Sequence, residues 1–398
     1  MVTATSSRTS SATPLARARE LLRHHILIDG HNDLPWAIHT FEDAPDDLEA
    51  YDLRRRTPGH TDLARLRRGG VGGQFWSVYV PAEIGSGFAR VQLEQIDLAR
   101  RMIARYPRRL ELCWSAREVG DAFDRGRIAS LLGMEGGHVL ENSLGALRAY
   151  RDLGARYLTL THNQTIEWAD SATDTARHGG LTPFGREVVA EMNRLGMLVD
   201  LSHVAPTTMR DALETSEAPV IFSHSSARAL CDVPRNVPDE ILRLVPSNGG
   251  VVMVTFVAGF VSPAAAAVVV PAIAELDERL QGVTDTAKRE TIRREIFEHL
   301  EVPLPPLTMV ADHVEHIARV AGVEHVGLGG DFDGSFFQTD GLRDVAGYPN
   351  LFAELIRRGW TDGDLARLAG ANVLRVMREA EGVAARLARR GTSGAASV

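Results

Sequence analysis

His31 and Asp33 stand two residues apart in the segment Asp29-Gly30-His31-Asn32-Asp33. On an extended strand, residues at that spacing share a face, and Asn32 points to the other. Glu135 follows Gly133-Met134 and precedes Gly136-Gly137-His138, where two glycines let backbone and ligand approach closely. His203 ends Asp200-Leu201-Ser202-His203, and His224 sits in Ser223-His224-Ser225. Asp331 and Asp333 again lie two apart in Gly329-Gly330-Asp331-Phe332-Asp333-Gly334. Singly, each motif has a structural explanation: a surface pair, a turn carboxylate, a hydrogen-bonded imidazole. Together they offer imidazole nitrogen and carboxylate oxygen, the donor types that zinc takes at catalytic sites. One aspartate of the last pair could carry a proton from metal-bound water to a leaving group. The reading favours Asp331 for that role and a turn or cap role for Asp333.

These donors exceed what one tetrahedral ion needs. Two metals about 3.5–4 Å apart with one shared ligand use them economically. A shared ligand must be a carboxylate, because imidazole cannot serve two ions side by side. Some barrel hydrolases bridge with a carboxylated lysine, but Lys288 is the only lysine here and lies in an inserted helix rather than at a strand end. Glu135 is therefore the natural bridge.

Eight short apolar or β-branched runs position these residues: Ile26–Asp33, Gly72–Val80, Ile128–Glu135, Arg156–His162, Met197–His203, Pro219–His224, Gly250–Phe256 and His325–Asp331. Between them, Leu144–Leu153, Phe184–Leu195, Thr207–Thr215, Pro238–Leu244 and Thr308–Ala321 carry apolar residues at three- and four-residue spacing. Strand and helix in alternation point to a closed (β/α)₈ TIM barrel rather than an open doubly wound sheet. Candidate ligands then gather where the strands end, the face on which such barrels carry their active sites. Two stretches on that face are oversized: Leu34–Thr61 after strand one, and Val257–Leu307 after strand seven with a charged helix around Asp285–His299. The expected organisation is a disordered tail over residues 1–14, one domain over 15–385, and a flexible tail over 386–398.

At 398 residues, 44% hydrophobic and 24% charged, the chain has the composition of a folded protein. A net charge of −8 disfavours nucleic acid or an acidic membrane as partner. No signal sequence or hydrophobic anchor is evident, and Ala264–Ile273 is too short to span a bilayer. Cys113 and Cys231 are read as free buried thiols, which suits a reducing compartment and a cytoplasmic location.

The segments DGHNDLPW, GMEGGHVLENSLGALRAYRDLGARYLTLTHNQ, DLSHV, FSHSSAR, PRNVPD and GLGGDFDG run in order between Ile26 and Met377. With them the chain resembles the membrane (renal-type) dipeptidases, peptidase family M19 of the amidohydrolase superfamily. The resemblance implies a zinc-dependent dipeptidase with two Zn²⁺ ions per chain. Its substrates would be dipeptides with an L-residue first and an L- or D-residue second, cleaved by a hydroxide bridging the ions. It implies that His31 and Asp33 hold one zinc, His203 and His224 the other, and Glu135 both. It casts His162 as the residue that steadies the substrate carbonyl, Arg235 as the anchor of the substrate's terminal carboxylate, and Asp331 as the proton shuttle. It also implies a possible homodimer.

The sequence departs from the family in places. The extra cysteines and hydrophobic tail of anchored members are missing, which is similar to the soluble bacterial members. Gln164 stands where some relatives have Cys, and Thr255-Phe256-Val257 stands where relatives often carry Asn and Tyr, so the side-chain pocket differs. Two other readings fit a metal site on a barrel. One is a lactonase or phosphotriesterase, which the missing bridging lysine disfavours. The other is a catalytically silent metal-binding protein, against which all eight implied site residues are present.

Overall fold

A computed structural model describes residues 13–395. Residues 1–12, most of the expected N-terminal tail, lie outside the described residues. Nine strands form one parallel sheet: β1 (Leu27–Asn32), β2 (Val71–Tyr79), β3 (Leu110–Leu112), β4 (Ile128–Glu135), β5 (Ala155–Thr159), β6 (Leu198–Asp200), β7 (Ile221–Phe222), β8 (Val251–Val254) and β9 (Val326–Leu328). Their order is β2-β1-β9-β8-β7-β6-β5-β4-β3, and β2 also pairs with β4. That pairing closes an eight-stranded (β/α)₈ barrel and leaves β3 outside it, on the first half of β4.

Alternation along each strand divides the core in two. Ile28, Phe75, Leu131, Tyr157, Ile221 and Met253 pack inside the barrel. Leu27, Trp76, Leu132, Leu158, Phe222 and Val252 face the surrounding helices. In β1 the alternation is broken on purpose. Asp29 pairs with Gln74 and Asn32 with Trp76, so three steps of β1 span two of β2. Counting by twos from Ile28 would send His31 outward; the extra residue turns its ring into the lumen.

The strands are shorter than the sequence suggested. His162, His203, His224 and Asp331 come two or three residues after β5, β6, β7 and β9, rather than on them. The ladder stops where the strands splay at the mouth, and His203 (φ 70°) and Asp331 (φ 57°) take the left-handed conformation of a tight turn. Bonds from Asp33 N to Phe332 O and from Asp331 N to His31 O tie the last mouth loop to the first.

The long segment after β8 contributes the helices Ala258–Val261, Pro263–Leu280 and Thr286–Phe297. The last is the expected charged helix, capped by Asp285, whose side chain accepts from Lys288 N. The apolar run with Pro271 lies within Pro263–Leu280, which buries Ala265, Ala266, Val269 and Ala272. Among the described residues no helix is long and apolar enough to cross a membrane. The last helix runs Asn372–Ala395 and includes residues 386–395 of the segment expected as a tail. Its apolar residues Val376, Ala380 and Val383 join the cluster of residues packed inside the barrel. Both cysteines are buried and free.

Candidate active site

Strands β1 and β2 and the loops after β1, β6 and β7 converge on Glu135 at the end of β4. His203 Nε2 lies 3.0 Å and His224 Nε2 3.4 Å from its Oε1, and His31 Nε2 lies 3.4 Å from its Oε2. Asp33 Oδ2 is 3.3 Å from the same His31 nitrogen. Ser77, inward-facing on β2, donates its hydroxyl to Glu135 Oε2 at 3.3 Å. All five side chains expected as ligands are buried and meet here.

Partners behind the rings set which nitrogen faces the centre. The Tyr157 hydroxyl donates to Gly30 O and lies 2.8 Å from His31 Nδ1, so its oxygen receives the Nδ1–H and Nε2 faces Glu135. Ser223 Oγ donates to Asp200 Oδ2 at 2.6 Å and lies 2.8 Å from His224 Nδ1, with the same result. Asp200 is held in turn by Thr159 Oγ1 and by the N–H groups of Ser202 and Ser223. Such outer partners orient metal ligands.

The charges agree. Burial, with Arg235 and His162 nearby, holds His203 well below the usual imidazole range. Burial and His31 do the same for His224. Burial also opposes charge on His31, but Tyr157, Glu135 and Asp33 outweigh it and raise that ring. Burial pushes the Glu135 carboxyl up, and the three imidazoles bring it well below the ordinary range. The Nε2 atoms of two neutral imidazoles, His203 and His224, thus lie 2.9 Å apart beside an ionised carboxylate, and His31 Nε2 is buried with no hydrogen-bond partner. In the chain alone the raised His31 ring is the positive charge beside Glu135 and Asp33, and a divalent ion would take that place by displacing its proton. The residues fit a pair of divalent ions of the zinc type. Ligand atoms fall within 4.8 Å of one another in three groups: His31, Glu135 and His224; Glu135, His162 and His203; His31, Asp33 and Asp331. Glu135 and His31 each belong to two of them, and of these only the carboxylate can serve two ions side by side. His162 falls in a group with His203, while His224 groups with His31, a division different from the expected pairing of His203 with His224.

Above this floor opens a cavity of about 350 Å³ lined by His162, Arg235 and Asp331, with walls of Val257, Phe260 and the helix Pro263–Leu280. The His162 ring lies 4.4 Å from that of His203, and its Nδ1 has no partner. Arg235 is buried, donates through Nη2 to His224 O at 3.3 Å, and stacks 5.3 Å above Phe260. Its Nε and Nη1 are unpaired. Burial pushes the Asp331 carboxyl up to about 7, with Asp33 and Glu135 adding to it and His31 and Arg235 opposing. Gly334 passes between Asp33 and Asp331 where a Cβ would strike both carboxylates. Asp333 stays out of the site: its Oδ1 accepts from His60 N at 2.5 Å and its own N–H donates to His60 Nδ1, pinning the loop after β1. Lys288 is exposed on its helix, away from Glu135.

The sequence reading missed Tyr157, Asp200, Ser77 and the Glu83–Arg289 ion pair in the cavity wall, 2.8 Å long and buried. Tyr157 and Asp200 had a signal: both are polar residues at inward positions of barrel strands. Glu83 and Arg289 are 206 residues apart, with no local pattern to join them.

The model of the membrane dipeptidase family, Peptidase family M19, matches residues 15–391. Dipeptidase 3 of Mus musculus is 43% identical over 373 residues, which cover 92% of this chain and 67% of that protein. Among solved structures, the probable dipeptidase PvdM from Pseudomonas aeruginosa has a TM-score of 0.79 at 25% identity, covering 93% of this chain and 99% of that one. A metallo peptidase from Rhodobacter sphaeroides, liganded with a phosphinate mimic of the dipeptide L-Ala-D-Ala, has a TM-score of 0.73 at 24% identity, covering 89% and 99%. The chain belongs to the membrane dipeptidase family, Peptidase family M19, and is a metal-dependent dipeptidase.

Proposed function

We propose that the protein holds two Zn²⁺ ions and hydrolyses dipeptides with an L-residue first and an L- or D-residue second. The observation that carries this is the convergence of three Nε2 atoms on one buried carboxylate, beneath a cavity that Arg235 lines. The L-Ala-D-Ala mimic bound by the Rhodobacter sphaeroides peptidase supports a D-residue at the second position.

His31 and Asp33 would hold one ion, His203 and His224 the other, and Glu135 both. When bound, such a pair supplies an attacking water acidified to a pKa of roughly 7 and a polarised carbonyl. The chain does the rest. Arg235 grips the terminal carboxylate with its unpaired guanidinium nitrogens. His162 donates to the carbonyl oxygen as negative charge builds there. Asp331 takes the proton of the attacking water and passes it to the leaving nitrogen. Tyr157 and Ser223 keep His31 and His224 in the tautomers this requires. Purified zinc-loaded protein assayed on L,L- and L,D-dipeptides, a lactone and a phosphotriester tests the reading. Turnover confined to the lactone or phosphotriester would overturn it.

A further inference from the structure

The cavity that Arg235 lines also reaches Asn163 and Asp277. Its wall is the inserted helix Pro263–Leu280, where Val270, Ile273 and Asp277 follow one another at three and four residues and line the same space. Asp277 is poorly satisfied there. Asn163 Nδ2 approaches both of its oxygens, each at 3.4 Å, beyond the usual range of N–H···O bonds. An ionised carboxylate can accept about four hydrogen bonds. The nearby guanidinium, Arg289, is already bound at 2.8 Å by Glu83. Among the described residues Asp277 has no ion-pair partner. Burial pushes its carboxyl up to about 6, Glu83 adds to the push, and His162, Asn163 and Arg289 only partly oppose it. A cation arriving beside it would find an unshared charge in a partly dry wall.

Neighbours give the direction. Asn163, whose side chain approaches Asp277, is the residue after His162. Arg235 Nη2 instead donates to His224 O at 3.3 Å. The ring of His203 lies 4.4 Å from that of His162 and 5.0 Å from that of His224, so the imidazole row runs from the Asn163–Asp277 side to the Arg235 side. A dipeptide whose carboxylate meets Arg235 runs its N-terminal residue toward His162 and Asp277.

We infer that Asp277 binds a cationic group on the substrate's N-terminal residue, either its α-ammonium or a side-chain ammonium, and so determines specificity at that end. This rests on the dipeptide orientation proposed above. Val270 and Ile273 would pack along the apolar stem that carries the charge.

The test uses the zinc-loaded wild type and Asp277→Asn on three matched substrates: norleucyl-alanine, lysyl-alanine, and hexanoyl-alanine, which lacks the amine. If Asp277 reads the α-ammonium, the variant's kcat/KM ratio of norleucyl-alanine to hexanoyl-alanine falls at least tenfold. If it reads a side chain, the wild type prefers lysyl-alanine to norleucyl-alanine, and that preference falls at least tenfold in the variant. Unchanged ratios in both comparisons overturn the assignment while leaving the dipeptidase reading intact. Failure of the wild type to cleave any of the three overturns that parent reading, and this assignment with it.

Discussion

His203 and His224 bring their Nε2 atoms to 2.9 Å from each other. Each ring is buried and held neutral, and the two nitrogens are close enough for one cation to take both. Added Zn²⁺ should therefore raise the melting temperature of metal-free protein. One site filled at a hundred times its Kd contributes about 2.7 kcal/mol. In His203→Ala the bound zinc should fall from about two ions per chain to about one. Elemental analysis of both proteins after equilibrium dialysis checks this, and an unchanged zinc content would remove His203 from the ligand set.

Tyr157 acts on the centre through His31. Tyr157→Phe removes the acceptor for His31 Nδ1–H and keeps the ring in the barrel core. Zinc affinity should drop about 10–100-fold, as losses of outer partners do, with the fold retained. Competition with a chromophoric chelator measures it. Gly133→Ala should weaken zinc binding too, because a Cβ there would overlap the Tyr157 ring. It should also lose about 1–3 kcal/mol of stability by overpacking.

Asp331 sits at φ 57°, a conformation that Asn tolerates nearly as well as Asp. Asp331→Asn thus changes the proton chemistry without straining the turn. Bound zinc should stay near the wild-type content while kcat falls by about 10²–10⁴. Steady-state kinetics beside metal analysis separates the two effects. A near-normal kcat would move the shuttle role elsewhere.

Arg235 should read the free carboxylate. Arg235→Met is expected to lose about 1.5–3 kcal/mol in kcat/KM on a dipeptide acid. A dipeptide amide should be poor for the wild type and lose little further in the variant. Arg235→Lys should already be impaired, since lysine lacks the planar two-point contact. Equal losses for acid and amide would show that Arg235 does not bind the carboxylate.

Stability should also respond to a buried histidine behind the site. His313 Nδ1 accepts from Ala227 N at 3.0 Å, and its Nε2 lies 3.0 Å from Val261 O, which takes the Nε2–H. Burial lowers its pKa to about 4 from an ordinary 6.5. A depressed value means the folded state binds the proton less well than the unfolded chain. The contribution is fully present above pH 6.5 and is lost as pH falls toward 4. His313→Gln keeps a donor and an acceptor but does not titrate. Urea unfolding at pH 7 and pH 5 should show a larger loss for wild type than for the variant, and equal losses would contradict the assignment.

Much of this site was legible because its residues lie where barrel strands end. His31, Glu135, His203, His224 and Asp331 each follow a short apolar run, and the fold brings such ends to one mouth. The details that escaped are those that depend on backbone irregularity or distance. The spacing of His31 and Asp33 gave their common face, but only the extra residue in β1 makes that face the lumen. Strand β3 is three residues long, too short to show any alternation. The side chains of Asp277 and Asn163 meet across 114 residues, through an insertion whose helix reads as apolar filler.

The most direct test is a zinc titration of metal-free protein, following bound metal and hydrolysis of an L,D-dipeptide together. Activity should be absent at the start, rise with added Zn²⁺, and level off near two ions per chain. Full hydrolysis by the stripped protein, or none by protein carrying two zinc ions, would contradict the proposed centre.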